Sequence, residues 1–353
     1  MDTLSHGLAG SVLSRALTDR PEARAAFWVG AVAAMVPDLD VLFISSRIDY
    51  LRDHRSWTHS FLVLPLLALV IALLAKAFLR RTPLLALWFF SAVGLASHIL
   101  FDWATSFGIM FWTPASRHRY FLDWLFILDP IFSAIVVASL ILAIVFRSRA
   151  RRITAMGSLL LLLYVGFCAA VHARAMAAWR RIDPVPVGST AAAMPQFLSP
   201  FRWLGLADRG DAIDVAFFDV GPFAKGVDDP QPPHRWSEVL RSLSDSYPPP
   251  ARARIRRYDK PPPSPALAAA RALPDWKIYL AFARFPLETV ESEPNGDWSV
   301  YVQDLRFLPW FAGPWERDTD EGGFRRQPFV YRVRLDPSLR VLERDFVRTG
   351  RRG

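Results

Sequence analysis

The sequence has a single cysteine and little net basic charge on its polar part, where the one basic patch, residues 252–257, is interpreted as a solvated loop. Cys168 lies inside an apolar run, so no intrachain disulfide can form, and cysteine usage says nothing about the compartment. The first residues, Met-Asp-Thr-Leu-Ser-His, contain no basic segment ahead of an apolar one. We therefore expect no cleavable signal peptide.

The positive charge of the chain belongs to its apolar half. The formal net charge is +9, and residues 1–182 hold 18 Lys and Arg against 10 Asp and Glu, whereas residues 183–353 hold 24 against 23. In the first part these basic residues lie between hydrophobic runs, as they do in the loops of membrane proteins. We therefore expect no nucleic-acid partner, and a hydrophobic content of 52% argues against a disordered or fibrous chain.

Four apolar runs in the first part approach the roughly 20 residues that a helix needs to cross a bilayer. They cover residues 60–79, 84–101, 124–146 and 153–171. Residues 25–44 form a short or broken span around Pro37, and residues 3–17 form a weaker helix. The sequence thus predicts a multi-pass α-helical membrane domain of about five to six helices over residues 1–182.

The pattern changes after residue 182 to short alternating runs, which are typical of β-strands. The predicted strands cover residues 212–220, 277–285, 298–307 and 329–335. Prolines at 232–233, 248–250 and 261–263 cannot belong to a central strand. We expect residues 183–353 to form an extramembrane, β-rich (α+β) domain with a proline-rich loop at about 230–265.

Ionisable residues stand at the ends of the apolar runs, and at membrane depth such groups are costly enough to indicate a function. The nine residues are His6, Asp38, Asp40, His54, His59, His98, Asp102, Asp123 and Asp129. If six helices alternate across the membrane, all nine lie on one side. The short loops of that side hold eight Arg or Lys against ten opposite, so we expect the site and the C-terminal domain to be extracytoplasmic.

Spacing makes a metal site the leading interpretation. His98 and Asp102 are four residues apart on a predicted helix, which places imidazole and carboxylate on one face. Asp38 and Asp40 offer two oxygen donors in a non-helical segment. Structural alternatives remain open, since aspartates are common in turns and Asp129 stands where it could cap a helix N-terminus.

Residues 1–146 resemble the YdjM-like family of membrane-bound, metal-dependent hydrolases. The resemblance rests on motifs that follow one another in the same order: Ser-His-Gly-Leu-Ala-Gly at 5–10, Pro-Asp-Leu-Asp at 37–40, His-Arg-Ser-Trp-Thr-His-Ser at 54–60, Ser-His-Ile-Leu-Phe-Asp at 97–102, and Leu-Asp-Trp to Asp-Pro at 122–130. It implies a hydrolase of the bacterial inner membrane. A more distant similarity is to zinc-dependent phospholipase C, although the late His-x-x-x-Glu pair of those enzymes is absent.

The leading hypothesis is a hydrolase that acts on a phosphoester or lipid-linked substrate through a metal-activated water. The predicted ligands are His6, Asp38, His54, His59, His98 and Asp102. Zinc suits this mixed nitrogen and oxygen set best, and manganese is possible. Asp40 would bridge or act as base and Arg55 would neutralise a phosphoryl oxygen, while Thr58, Asp123 and Asp129 would support the ligands.

Two further interpretations of the same residues remain open. One is a metal or proton transporter that uses the His/Asp set as a relay, and the other is a non-catalytic, membrane-anchored binding protein. In each case the expected partner is the lipid bilayer.

Overall fold

The computed structural model describes residues 1–19, 21–186, 188–222, 224, 247–308 and 328–347. The chain divides into two compact units, Met1–Ala170 and Val171–Gly353. The division falls inside a long helix and not at its end near residue 182, because the last turns of that helix pack within the second unit.

The first unit is helical. Its elements are α1 (Thr3–Ala16), α2 (Ala23–Met35), α3 (Arg47–Asp53), α4 (Leu64–Phe78), α5 (Leu84–Trp103), α6 (Pro130–Val145) and the first part of α7 (Ala150–Ile182). Two 3-10 turns, Val36–Phe43 and Trp57–His59, follow α2 and precede α4. Both turns carry residues that the sequence singles out.

Among the described residues, three helical stretches are long and apolar enough to cross a membrane: Ala23–Phe43, Leu84–Trp103 and Arg147–Ile182. Arg47–His59 and Leu64–Phe78 would supply a fourth if this pair, bent by 75°, counts as one span. The expectation of five to six membrane helices was therefore too high.

The physical reason lies in the helix ends. α1 has only 14 residues, and α6 has 16 because it begins at Pro130 and not at residue 124. The Asp129 carboxylate accepts hydrogen bonds from the amides of Ile131 and Phe132 and so fixes that helix start.

Three glycines let α1, α2 and α5 touch backbone to backbone. A Cβ placed on Gly30 would lie 2.2 Å from the Ser14 hydroxyl and 2.7 Å from the Gly10 carbonyl oxygen. A Cβ on Gly94 would lie 2.5 Å from the Gly30 carbonyl oxygen. Because larger residues would force these helices apart, the glycines determine how closely the three helices pack.

The second unit contains two four-stranded antiparallel sheets, so the β-rich prediction is confirmed. The first sheet has the order β1 (Thr190–Gln196), β2 (Ser199–Asp208), β3 (Ala212–Asp219) and β4 (Arg256–Asp259). The second has the order β5 (Pro286–Ser292), β6 (Trp298–Asp304), β7 (Tyr331–Leu335) and β8 (Val341–Phe346). Helices α8 (Pro265–Ala272) and α9 (Pro274–Phe282) lie between the two sheets in the chain.

The strand predicted at residues 277–285 was wrong, since this segment belongs to α9. Pro274 begins the helix, and the residues that become buried are Trp276, Tyr279 and Phe282. Their spacing of three is that of a helix and not of a strand. The predicted proline-rich loop is only partly visible, because residues 225–246 lie outside the described part of the chain.

Two interactions stabilise the first sheet. The Trp179 indole, on the last part of α7, donates to the Leu206 carbonyl at 3.1 Å and occupies the space that Gly205 leaves open. Buried Asp214 binds Arg257 through two hydrogen bonds of 2.8 and 2.9 Å. Together with a contact to Arg209, these hydrogen bonds hold the pKa of the Asp214 carboxyl below its usual value.

Candidate metal centre

Four side chains converge at one end of the helical unit. Asp38 comes from the turn after α2, His59 from the turn before α4, and His98 and Asp102 from adjacent turns of α5. One potential ligand atom of each lies within 4.8 Å of the other three. The side chains of His59, His98 and Asp102 are fully buried, whereas that of Asp38 is 11% exposed.

Hydrogen bonds fix the tautomer of both histidines. His98 Nδ1 lies 2.7 Å from the Ala34 carbonyl oxygen, which can only accept, so this nitrogen carries the proton. Thr58 donates its hydroxyl proton to the Pro37 carbonyl and therefore accepts from His59 Nδ1 at 2.9 Å. Both Nε2 atoms are consequently free to act as metal ligands.

These two Nε2 atoms face each other at 3.0 Å, and two carboxylate oxygens complete the group. Asp102 Oδ2 lies 3.5 Å from His59 Nε2 and 3.4 Å from His98 Nε2. Asp38 Oδ1 lies 3.8 and 3.6 Å from the same two atoms. Ligands bound at about 2.0–2.1 Å in a tetrahedron stand about 3.3 Å apart, so this His/Asp cluster could hold a metal ion.

The second carboxylate oxygen of Asp38 and that of Asp102 contact groups that lie outside the cluster. Asp38 Oδ2 accepts from the Thr3 hydroxyl at 2.7 Å. Asp102 Oδ1 lies 3.0 Å from His6 Nε2 and also contacts the Met1 amino group. These contacts turn the remaining oxygen of each carboxylate towards the two histidines.

His6 and His54 lie outside the four-residue group, so the structure brings together four of the six predicted ligands. The His6 ring stacks on His98 with centroids 3.8 Å apart, and its Nε2 is directed at Asp102. His54 Nδ1 pairs with Asp40 Oδ1 at 2.8 Å, and its ring stacks on Tyr50. Both histidines thus border the cluster and contact acidic residues there.

The two residues with predicted catalytic roles have different surroundings. Asp40 accepts from His54 and from the Arg55 backbone amide, and its Oδ2 lies 3.9 Å from His59 Nδ1. Arg55 is only 2% exposed, and its Nε stands 2.8 Å from Asp102 Oδ2. Because the guanidinium also donates to Thr105 and lies over the Phe107 ring, Arg55 positions Asp102 and is not open to a phosphoryl group.

The three residues predicted to support the ligands also have different surroundings. Thr58 orients His59 directly. Asp123 is buried beside the end of α5, since the amides of its neighbours bond to the carbonyls of Trp103 and Ala104. Asp129 has the alternative structural role, because it caps α6 and accepts the proton of the Tyr164 hydroxyl, whose oxygen lies 3.0 and 2.9 Å from the two carboxylate oxygens.

Sequence reasoning missed two contributors to the cluster. Thr3 stands three residues before His6 on α1, so its place on the same helix face was detectable from spacing. The Ala34 carbonyl, which fixes His98, leaves no trace in the sequence because any residue would supply it.

The helical spans and the His/Asp cluster together define a membrane protein with a potential metal centre. Residues 1–175 match the family model described as YdjM inner membrane protein, so this part of the chain belongs to the YdjM family. The predicted resemblance to the YdjM family is thus confirmed, and the match carries no statement on hydrolase activity. Family membership and the candidate spans support a location in the bacterial inner membrane.

Two curated relatives are similar to part of the chain. Inner membrane protein YbcI of Escherichia coli (strain K12) is 32% identical over 101 residues, which are 28% of this chain and 58% of that protein. Uncharacterized protein YfhP of Bacillus subtilis (strain 168) is 25% identical over 138 residues, which are 37% of this chain and 42% of that protein. The chain thus spans about half the length of these relatives. No solved structure matches it.

Proposed function

We propose that the first unit is a membrane-bound, metal-dependent hydrolase of phosphoesters, with the ion held by Asp38, His59, His98 and Asp102. The observation that carries the proposal is the pair of Nε2 atoms at 3.0 Å, each on a ring whose proton is committed at Nδ1. Two unprotonated nitrogens at this distance repel unless a cation lies between them.

The donor set favours zinc or manganese, because imidazole suits zinc, and carboxylate oxygens are accepted by both metals. When bound, such an ion would lower the pKa of a water to about 7 and polarise a phosphoryl oxygen. Asp38 is the partly exposed member of the four, which makes its side the accessible one.

Asp40 and His54 supply a proton-transfer pair next to the cluster. An ionised Asp40 can only accept, so its hydrogen bond with His54 places the imidazole proton on Nδ1. The Nε2 of His54 is then the atom that can take a proton from the attacking water, while Asp40 orients the ring. The hydrogen bond to Asp40 supports His54 in the base role that the sequence suggested for Asp40.

The test compares metal content and turnover in detergent-purified, full-length protein. Wild type should contain at least one equivalent of zinc or manganese per chain, and Asp102→Ala should lose it. His118→Ala is the matched control, because His118 is exposed on a loop outside the cluster. Hydrolysis of bis(p-nitrophenyl) phosphate by the metal-loaded wild type, but not by Asp102→Ala, would support the proposal. Full metal occupancy in Asp102→Ala would refute the ligand assignment.

A His54→Ala variant separates proton transfer from metal binding. It should retain the metal and lose turnover by a factor of about 10²–10⁴, the usual contribution of a general base. Loss of metal in this variant would instead return His54 to the ligand set.

Transport fits the structure less well than hydrolysis. A relay through the membrane needs ionisable groups along the helices, yet α4 and α6 contain no Asp, Glu or His, and the cluster gathers at one end of the unit. Metal uptake into proteoliposomes, in the absence of any phosphoester turnover, would favour transport.

A further inference from the structure

A cavity of about 400 Å³ opens beside the metal centre, and the proposed hydrolysis assigns no role to it. Among the residues that line it are Asp40, Phe43, Arg52, Trp57 and Thr58. They come from the turn after α2, from α3 and from the turn before α4. We call this cavity the α3 cleft.

One wall of the α3 cleft is apolar and lies at the end of a candidate span. Phe43 is the last residue of the span Ala23–Phe43, and it is 88% exposed. Trp57 is 53% exposed, and Leu42, next to Phe43, is also exposed. Large apolar side chains exposed at this position suit the boundary between lipid and water.

Another part of the lining, which we call the Arg52 wall, is charged. Arg52 pairs with Asp49 and with Asp53, at 2.8 and 2.7 Å, and Arg117, which lies outside the lining, pairs with Asp53 at 2.8 Å. These ion pairs leave the wall polar and hydrated. The cleft therefore offers exposed aromatic rings for hydrocarbon and charged groups for a hydrated group.

The floor of the α3 cleft is also the outer layer of the metal centre. Thr58 accepts the hydrogen bond that orients His59, and Asp40 lies 3.9 Å from the same imidazole. Asp38, the partly exposed member of the cluster, is two residues from Asp40. Asp40 and Thr58 thus belong both to the cleft lining and to the immediate surroundings of the cluster.

We propose that the α3 cleft admits an amphiphilic phosphoester sideways from the bilayer. Its hydrocarbon chain would lie along Phe43 and Trp57, its hydrated group along the Arg52 wall, and its phosphoester towards Asp38. The inference rests on the proposed hydrolase function and adds the substrate class to it. A fully water-soluble phosphoester would gain nothing from the exposed Phe43 ring, whereas a single-chain or double-chain lipid would.

The test measures binding without requiring turnover. Full-length protein in detergent is loaded with Co²⁺, and its visible absorption is titrated with methylphosphonate and with dodecylphosphonate. We expect the longer ligand to bind more tightly, with a gain of up to about fourfold for each methylene that packs on the apolar wall. Phe43→Ser should lower the ratio of dodecylphosphonate affinity to methylphosphonate affinity by about fourfold for each methylene that no longer packs on a ring. Its affinity for methylphosphonate itself should not change.

Phe78→Ser is the matched control, because Phe78 is also 88% exposed but lies at the end of α4, outside the cleft. Partition of dodecylphosphonate into micelles affects all variants equally, so the comparison between variants is unaffected. Trp57→Ser provides a second cleft variant, which should behave as Phe43→Ser does. An equal chain-length ratio in Phe43→Ser, Trp57→Ser and Phe78→Ser would overturn the cleft assignment. A Co²⁺ spectrum that methylphosphonate does not change would overturn the hydrolase proposal itself.

Discussion

Replacing Thr58 by valine removes one hydroxyl group and should weaken metal binding while leaving every proposed ligand in place. Valine has nearly the shape of threonine, so packing is kept. His59 Nδ1, however, loses the acceptor that now lies at 2.9 Å. The imidazole is then free to carry its proton on Nε2, which removes the lone pair that faces His98.

The size of the effect follows from similar hydrogen bonds at other metal sites. Loss of a hydrogen bond that orients a ligating histidine typically costs a factor of 10 to 100 in metal affinity. This factor corresponds to about 1.4–2.7 kcal/mol, in the range expected when a buried donor loses its partner. We therefore expect the zinc Kd of Thr58→Val to rise by one to two orders of magnitude.

The assay is competition between full-length protein in detergent and a chromogenic zinc chelator. Thr58→Ser is the matched variant, because serine keeps the hydroxyl and should bind zinc nearly as wild type does. A Thr58→Val protein with wild-type zinc affinity would refute the tautomer argument. Equally weakened binding in the serine and valine variants would show that loss of the hydroxyl is not the specific cause.

Three further predictions concern stability. Gly30→Val should lower the melting temperature and the metal content, since overpacking a close contact costs about 1–3 kcal/mol. Gly166→Val is the control and should melt as wild type does, because a Cβ at Gly166 meets nothing within 4 Å. Arg55→Met should destabilise the metal-free protein by about 3–5 kcal/mol, because the buried Asp102 carboxylate loses its contact with Arg55. Arg52→Met removes an exposed ion pair and should change little in the same thermal melts. The folded-state pKa of Asp214 is lowered, so its stabilising effect is present above an unfolded pKa of about 3.9 and declines as the pH falls through the folded value. Melts of Asp214→Asn and wild type should accordingly differ most at pH 7 and converge towards pH 3, and a constant difference would contradict this.

The candidate site was largely predictable from sequence because ionisable residues in apolar surroundings are conspicuous. The pair His98 and Asp102 followed from helical spacing alone, and Asp38 and His59 from their places at the ends of apolar runs. Sequence could not decide which histidines would be ligands, since His6 and His54 occupy equivalent places in the pattern. The choice depends on hydrogen-bond partners on neighbouring elements, such as Asp40 for His54.

The fold was predictable only where the apolar residues of a segment follow one clear periodicity, that of a helix or that of a strand. Strand β3 was predicted almost to the residue from its apolar run, whereas β1, β2 and β5 were not predicted at all. β1 is rich in alanine and β2 contains Pro200 and Gly205, so neither has the β-branched alternation on which strand prediction depends. Their position in the sheet is set by pairing with the next strand along the chain, which the apolar pattern of one segment does not reveal.

The facing nitrogens of His59 and His98 suit a cation between them, and the surrounding acceptors distinguish a metal ion from a shared proton. A proton shared by the Nε2 atoms would satisfy a separation of 3.0 Å, but it would use only those two acceptors. Asp102 Oδ2 stands within 3.5 Å and Asp38 Oδ1 within 3.8 Å of these nitrogens, and Thr3 and His6 hold the other carboxylate oxygens aside. Four acceptors directed at one point would give a divalent ion four ligands, whereas a shared proton would leave both carboxylate oxygens unused. The cluster is therefore better suited to a metal than to proton transfer between histidines.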